Sequence, residues 1–408
     1  MGRGLILIAL LSVCEPSCWW GNASSPAPGA SLAGQRARNE YPLPVVEPKK
    51  KKSEEEPTQV LELPKEPPAS IVADSRRLSF HVTRLYDQGL LSQQARQALR
   101  GLLAQVREAT VVKLRAFVAG AGDLRRVQVV VSETFSERRK PLPVLSVVQV
   151  GALPLAGAQV VLEAVAVERR EVNPHGLAFI SGQAAVGTDP LASPEPLLEK
   201  SLGDFELAAK AVGASQEDVL RVTCFISSLA DWSSLHQHVA PRFPRAAINL
   251  VQPQRAPARA LVECEGVVRL NKAPSSPLTL LNPPGLPRPE HYSQIALVGP
   301  GRLVFTGAQL GFRTSEQDAR LAFQRLGRTL QEAGASFEQV AVSHLYPLSG
   351  AVGEMLRRVR GDFYNRQAPP ASTMLPFEGL PSLDASFGLD VVAVLPEVPR
   401  APAPQPSN

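Results

Sequence analysis

The chain has 408 residues, too many for one ordinary hydrophobic core and enough for two to four domains. Apolar residues make up 44% and aromatics only 5%, so the interior has to be packed from Val, Leu, Ala and Ile. The net charge of +5 is spread along the chain with no focused basic patch, which argues against nucleic acid as a partner.

The first residues have the form of an export signal. Arg3 precedes an apolar run, Leu5 to Val13, that is too short to span a bilayer, and Gly21-Asn22-Ala23 offers a small-x-small cleavage site. Residues 1–23 are therefore expected to be a signal peptide, with the chain exported to a periplasmic or extracellular space. A rival reading takes Leu11-Ser12-Val13-Cys14 as a lipoprotein signal anchored through Cys14, although Val13 is larger than the residue normally found there. Neither reading needs a stable membrane span. Residues 24–74 read as a linker, with repeated Pro, then Lys49 to Lys52, then Glu54 to Glu56. Opposed charge blocks with few apolar residues cannot bury a core.

Beyond the linker the chain repeats itself, and the repeat governs the rest. Ala211 to Leu229 matches Glu332 to Gly350, with the Gly-Ala-Ser triplets 334 − 213 = 121 positions apart. The same offset lays Tyr346 on Phe225, and Phe117 holds this aromatic slot within Ala109 to Gly120. Apolar spacing predicts a helix before each of these strands, over Ser92 to Ala109, Ser201 to Val212 and Glu316 to Ala333. A second helix and two strands follow each time. The strands are Val144 to Val150 and Ala158 to Val167, Ala246 to Val251 and Arg259 to Leu270, and Ser372 to Pro376 and Ala385 to Val394. Hairpin-like stretches open the copies at Leu78 to Leu91, Gly176 to Val186 and Ile295 to Phe312. The unit is β-β-α-β-α-β-β, a two-layer α+β domain of about 100 residues. Copies are expected at 75–170, 171–272 and 290–396, with a Pro-rich linker over 273–289 and a disordered tail over 397–408.

Four cysteines are present, two of them in the leader. Cys224 and Cys264 lie in strand-like runs and are either two buried thiols or one bridge; their spacing decides neither. No Cys/His cluster has metal spacing, and His236 and His238, two apart on a predicted helix, face different ways. No metal and no cofactor is expected.

The ordered motifs resemble the Rid (YjgF) family. The third copy has His291-Tyr292-Ser293-Gln294 and then Leu303 to Gln309, similar to the family's Pro-Tyr-Ser-Gln and its following Ser-Gly-Gln strand. The second has Phe179-Ile180-Ser181-Gly182-Gln183, Asp218 to Thr223 and Leu229-Ala230-Asp231-Trp232. The first copy diverges most at its start and keeps Leu153-Pro154 and Glu163 to Val167. The resemblance implies a chorismate-mutase-like fold that trimerises with substrate clefts between subunits. Three copies in one chain then suggest an intramolecular pseudo-trimer, with a low-order oligomer as the other arrangement.

Active family members hydrolyse enamines and imines, releasing ammonia and a keto acid. The resemblance implies an arginine for the substrate carboxylate and a glutamate for acid–base work. By alignment the arginine position holds Leu145, Ala246 and Ser372, and the glutamate position holds Val161, Glu263 and Gly388. Only Glu263 survives, as a candidate catalytic residue. Arg245, Asn249, Tyr292 and Ser293 are candidate ligand contacts, Arg245 with its side chain aimed at the opposite face by strand alternation. Two readings follow: an exported, catalytically degenerate protein that binds a small molecule or a partner at its inter-module clefts, or an enamine/imine deaminase with a non-standard site. No basic-aromatic stripe supports an RNase role.

Overall fold

The computed structural model describes residues 64–396. The expected signal peptide, most of the linker after it and the tail lie outside the described residues. Three sheets, each covered by two helices, account for the described chain.

The first sheet has the order β2-β5-β3-β4, from β2 (Leu78–Val82), β3 (Thr110–Ala119), β4 (Val144–Val150) and β5 (Val160–Val167). It carries α1 (Leu91–Val106) and α2 (Arg125–Glu137). The second has the order β10-β11-β6-β9-β7-β8, from β6 (Leu177–Val186), β7 (Val219–Ile226), β8 (Ala247–Val251), β9 (Leu261–Arg269), β10 (Leu278–Leu281) and β11 (Ile295–Val298). Its helices are α3 (Glu195–Ala211) and α4 (Trp232–Val239). The third has the order β1-β12-β16-β14-β15, with β13 also on β16. It is built from β1 (Ser70–Asp74), β12 (Arg302–Thr306), β13 (Gln309–Phe312), β14 (Val340–Pro347), β15 (Ala371–Met374) and β16 (Ala385–Val394), with α5 (Glu316–Glu332) and α6 (Gly350–Arg360).

The helices form where the apolar spacing places them. α1 buries Leu91, Ala95, Ala98, Leu99, Leu102, Leu103 and Val106, one stripe of a 3.6-residue period. α3 and α5 end at Gly213 (φ 74°) and Gly334 (φ 83°), whose left-handed conformation costs glycine nothing. α3 begins at Glu195, six residues before the expected start, because Pro196 sits in the first turn, where a missing N–H leaves no bond unmade. In each sheet one parallel pair (β3–β4, β7–β8, β14–β15) is joined through a helix, as a parallel connection requires.

Strand alternation sorts the side chains into two layers. Leu114, Ala116 and Val118 of β3 face α1 and α2, while Lys113, Arg115 and Phe117 face the other two sheets. β7 and β14 repeat the inner positions as Arg221, Thr223, Phe225 and Val342, His344, Tyr346. The inner apolar clusters draw residues from all three sheets. Phe117 meets Phe225 edge-on at 5.9 Å between centroids, and Phe377 bridges Phe225 to Tyr346 at 5.7 and 5.4 Å, so the aromatic slot of the repeat becomes a shared core.

Two linker expectations need correcting. β1 lies within the expected 24–74 linker and pairs with β12 of the third sheet. β10 lies within the expected 273–289 linker, where it edges the second sheet on β11, itself from the start of the third copy. Both short extended segments carry apolar residues that an exposed sheet edge can bury. The strand just before the first copy thus joins the third sheet, and the first strand of the third copy joins the second. The backbone at Glu168, Val172 and Asn173 bonds in turn to Arg77 and Arg76 at the edge of the first.

The cysteine question closes as well. Cys224 and Cys264 face each other across β7 and β9, with Cα atoms 4.1 Å apart, in a disulfide. Among the described residues no helix is long and apolar enough to cross a membrane, and no group of His, Cys, Asp or Glu is placed to hold a metal ion.

Candidate functional site

Polar groups meet between the sheets in two places, and their chemistry differs. The first lies where the inner faces of all three sheets converge. Lys113, Arg115 and Arg221 are buried there with Glu163, Glu265 and Asp390, three cations against three carboxylates. The guanidinium of Arg115 bonds Glu163 at 2.6 and 2.9 Å and Glu265 of the next sheet at 2.5 Å. Arg221 stands 3.6 and 3.4 Å from the same two carboxylates. Lys113 donates to Ser146 Oγ and to the Thr306 carbonyl, both at 2.7 Å, and lies 3.3 Å from Asp390 of the third sheet. Asp390 also accepts from Ser146 (2.5 Å) and Tyr346 (2.9 Å) and pairs with His344 Nδ1 (3.0 Å). Burial opposes the charge on Glu265, but Arg115, His344 and Arg221 hold its carboxyl down at about 2. Burial likewise opposes ionisation of Asp390, and Lys113 and His344 keep it far below the usual carboxylate range. The cavity among these groups has a volume of about 30 Å³, room for a single water and no substrate. This cluster is cohesive rather than receptive.

The second place is the seam between the second and third sheets. The register fixes the positions the repeat makes equivalent. Val161, Glu263 and Gly388 lie opposite Phe117, Phe225 and Tyr346. Leu145, Ile248 and Ser372 lie opposite Leu114, Val222 and Ser343. Ile248, not Ala246, therefore takes the second copy's place in the arginine set; the alignment slipped by two where the chain enters β8. No copy carries arginine on this strand.

Glu263 is 8% exposed and packs against Gly182, where any Cβ would overlap its carboxylate at 1.9 Å. That glycine is required by close approach, not by backbone conformation. Across the seam the Gly182 N–H donates to Thr373 Oγ1 (3.1 Å), and the Ser372 N–H donates to Ser181 Oγ (2.9 Å). Glu263 has no hydrogen-bond partner among the described residues. Burial, reinforced by Glu265 and only partly relieved by Arg357, pushes its carboxyl up to about 8. Tyr292 is half-buried beside it, and burial together with the charge of Glu263 pushes its phenol up to about 12.

The remaining sequence candidates part company. Asn249 is a correction: it is buried, but it donates to Glu163 (2.7 Å) in the central cluster and is committed there. Arg245 is another: it is exposed before β8 and paired with Glu217 at 2.9 Å, away from Glu263. Ser293 lies at the seam, but its hydroxyl donates to the Pro369 carbonyl (2.6 Å) and its own carbonyl accepts from Ser181 (2.6 Å), so it stitches the two sheets together.

Sequence reasoning missed Arg357 and Arg360, from the last turns of α6. Arg360 is 3% exposed and donates from Nη1 to Ser372 Oγ at 3.2 Å. Three basic residues in the last turn of a helix read as a solvated end favoured by the helix dipole, and nothing in the pattern marks which of them turns inward.

The family model described as endoribonuclease L-PSP matches residues 77–168, which form the first sheet and its helices. No curated protein matches the chain. Among solved structures, YyfB of Yersinia pestis, a Rid-family protein, is similar at 17% identity over 29% of this chain and 100% of its own, with a TM-score of 0.27. A member of the YjgF/YER057c/UK114 family from Mycobacterium tuberculosis is 19% identical over 29% and 99%, with a TM-score of 0.22. RidA from an Antarctic Psychrobacter is 18% identical over 23% and 80%, also with a TM-score of 0.22. The matched residues, 77–168, are those of the copy whose opening departs most from the family pattern, and over them the chain is similar to this family.

Proposed function

We propose that this is an exported Rid-type protein whose three tandem copies close a pseudo-trimer within one chain and bind a small molecule at one seam, between the second and third copies. The reading is carried by Glu263, a buried carboxyl without a hydrogen-bond partner among the described residues, set beside Tyr292 and across from Ser372 and Thr373. Its oxygens keep a hydrogen-bonding capacity that no described residue takes up, which suits contact with a ligand at the seam. The equivalent positions at the other seams are Val161 and Gly388, which offer nothing to a polar ligand. Strands that cross from one copy's stretch of chain to another sheet support ring closure, and the Cys224–Cys264 bridge suits an oxidising compartment outside the cytosol. Absence of the strand arginine from all three copies favours binding without the family's standard turnover.

A second reading has its own support. A carboxyl that titrates near 8 exchanges protons at neutral pH, as enamine or imine hydrolysis requires. One assay separates the two. The chain is given a freshly generated 2-imino acid and keto-acid release is followed. A rate above buffer that Glu263→Ala abolishes would establish the deaminase; no such rate, with saturable ligand binding lost in Glu263→Gln, fits the binding protein. Sedimentation tests the ring, since an obligate trimer of whole chains would contradict it.

A further inference from the structure

The first strands of the three copies are equivalent but not equally covered. Phe80 of β2, Phe179 of β6 and Phe305 of β12 lie opposite Val165, Val267 and Val392 on the next strand. The far side of β6 is taken by β11, with Ala296 opposite Phe179 and the Ser181 N–H donating to the Gln294 carbonyl at 3.0 Å. The far side of β12 is taken by β1, with Ile71 opposite Phe305 and the Gly307 N–H donating to the Ala69 carbonyl at 2.9 Å. Beyond β2 no strand follows among the described residues. The Glu168 N–H bonds the Arg77 carbonyl and the Thr83 N–H bonds the Leu162 carbonyl, so the odd-numbered residues of β2 address β5. Phe80 and Val82 therefore turn their N–H and C=O groups away from β5, and no backbone bond meets them there among the described residues. The chain between β5 and β6 does not fill the place, because Glu168, Val172 and Asn173 are tied back to Arg77 and Arg76.

The far wall gives an independent sign. A bulge puts Val112, Leu220 and Ala341 at one equivalent position on β3, β7 and β14. On β3, which β1 runs against, Val112 is 4% exposed; on β14, which β11 runs against, Ala341 is 0% exposed. Leu220 stays half-buried. We propose that the open edge of β2 is a docking slot for one extended segment of a separate polypeptide, adding antiparallel to the first sheet the strand that the other two already hold. An unpaired strand edge offers its row of donors and acceptors to any chain that lies flat along it. β7 closes the far side, so the slot takes a single strand and not the edge of a second folded copy. The strands seated in the other two places indicate the chemistry. Their inward residues are small and aliphatic, Ala296 and Val298 on β11 and Ile71 and Ala73 on β1. On the outward face Ser79 Oγ lies 2.9 Å from His81 Nε2 and donates to Glu168 at 2.7 Å, where the second sheet has Ala178, Ile180 and Leu270 in its core. The partner segment therefore alternates small aliphatic residues with polar ones. The slot lies between the first and second sheets, apart from Glu263, and does not depend on the seam reading.

The test uses the full chain and a short capped peptide alternating Val and Thr, labelled for fluorescence anisotropy. A second peptide of the same sequence, N-methylated at alternate residues, lacks the donors that would meet β2. Without peptide, the Phe80 and Val82 amides are expected to exchange with deuterium about tenfold or more faster than those of Phe179, Ser181, Phe305 and Gly307. The first peptide should bind saturably and slow exchange at Val82, and the methylated one should bind about tenfold or more weakly. Val82→Pro removes an outward N–H and leaves the ladder with β5 intact, so it should lose the peptide while melting like the parent. Val82→Ala, which keeps the N–H, should retain it. Phe80 and Val82 amides already as protected as their counterparts would overturn the proposal, since the edge would then be covered, by this chain's residues before Pro64 or otherwise. Equal binding of the methylated peptide, or binding that leaves Val82 exchange unchanged, would overturn it as well.

Discussion

Replacing Arg115 by Met tests whether the central cluster holds the three sheets together. Met keeps much of the arginine's apolar stem but removes the fork that reaches Glu163 and Glu265 at 2.5 to 2.9 Å. Breaking a buried ion pair by deleting one partner costs about 3–5 kcal/mol, because the other charge stays buried and uncompensated. Arg221 remains 3.4 to 3.6 Å from both carboxylates, which places the loss near the lower end of that range. At about 2 °C per kcal/mol for a large domain, the melting point should drop by roughly 6 °C. The double variant Arg115→Met with Glu163→Gln removes one cation and one anion and leaves two of each. It should recover at least half of the loss, even though it deletes more hydrogen-bonding atoms than the single change. Urea melts of both variants give the comparison directly. A single variant within about 1 kcal/mol of the parent would show that charge pairing is not what the cluster contributes. A double variant worse than the single one would show the same.

Other consequences follow from the same structure. Glu263 has a folded pKa of about 8 against 4.5 unfolded, so its contribution is complete below about pH 4.5 and is lost as pH rises through 8. Glu263→Gln should therefore flatten the alkaline side of the stability profile, gaining up to about 4 kcal/mol over the parent at pH 9 by denaturant melts. A profile unchanged by the substitution would place the carboxyl in water. Glu265, depressed to about 2, works in the opposite sense: its stabilisation is present above pH 4.5 and disappears as pH falls towards 2, which Glu265→Gln should blunt in acid melts. The Cys224–Cys264 bridge closes a loop of 40 residues, so the double Ala variant should lose about 4 kcal/mol, and thiol counting under denaturing conditions should find both parent cysteines unreactive. Expressed with its own first residues, the chain should be recovered outside the cytosol with Ser24 at its N-terminus, as intact mass would show.

The repeat made much of the fold legible, for a definite reason. Each copy sets a 3.6-residue apolar period beside a strand with an aromatic at a constant place, and local periodicity survives without knowledge of the partners. What was not legible depends on partners. β1 and β10 look like the Pro-rich chain around them, and only an open sheet edge elsewhere makes four or five residues into a strand. Lys113, Arg115, Glu163 and Asp390 are charges within apolar strands, a pattern that marks a buried pair but was passed over among the repeat's other signals. Which charge meets which could not be read, since Ser146 finds Asp390 across a separation of 244 residues. At the seam, Glu263 and Tyr292 were read separately, one from a closing strand and one from an opening motif, and only the fold brings them together. Arg245 and Asn249 were chosen for closeness in sequence to a motif, and the register sends one to solvent and the other to the central cluster.

Three sheets in one chain leave each seam free to carry its own residues. In a ring of identical subunits every seam carries the same residues, so a loss at one is a loss at all three. Here the position of Glu263 is filled by Val161 and Gly388 in the other copies, and that of Ser372 by Leu145 and Ile248. The third sheet's Gly307 and Ala308 pack on the Leu145 backbone, while Lys113 of the first sheet donates to the Thr306 carbonyl and pairs with Asp390. An apolar seam adds burial and binds nothing polar. The Glu263 carboxyl, pushed by burial up to about 8, costs stability when it ionises, a cost that Val161 and Gly388 at the equivalent positions do not carry. A chain whose three seams differ can carry that cost in one place. The division also predicts where substitutions will be tolerated. Val161→Glu, which places an acid among the apolar residues around Phe117, should lower the melting point, whereas Glu263→Val should raise it and abolish binding. Comparable melting points for the two variants would show that the seams are still equivalent.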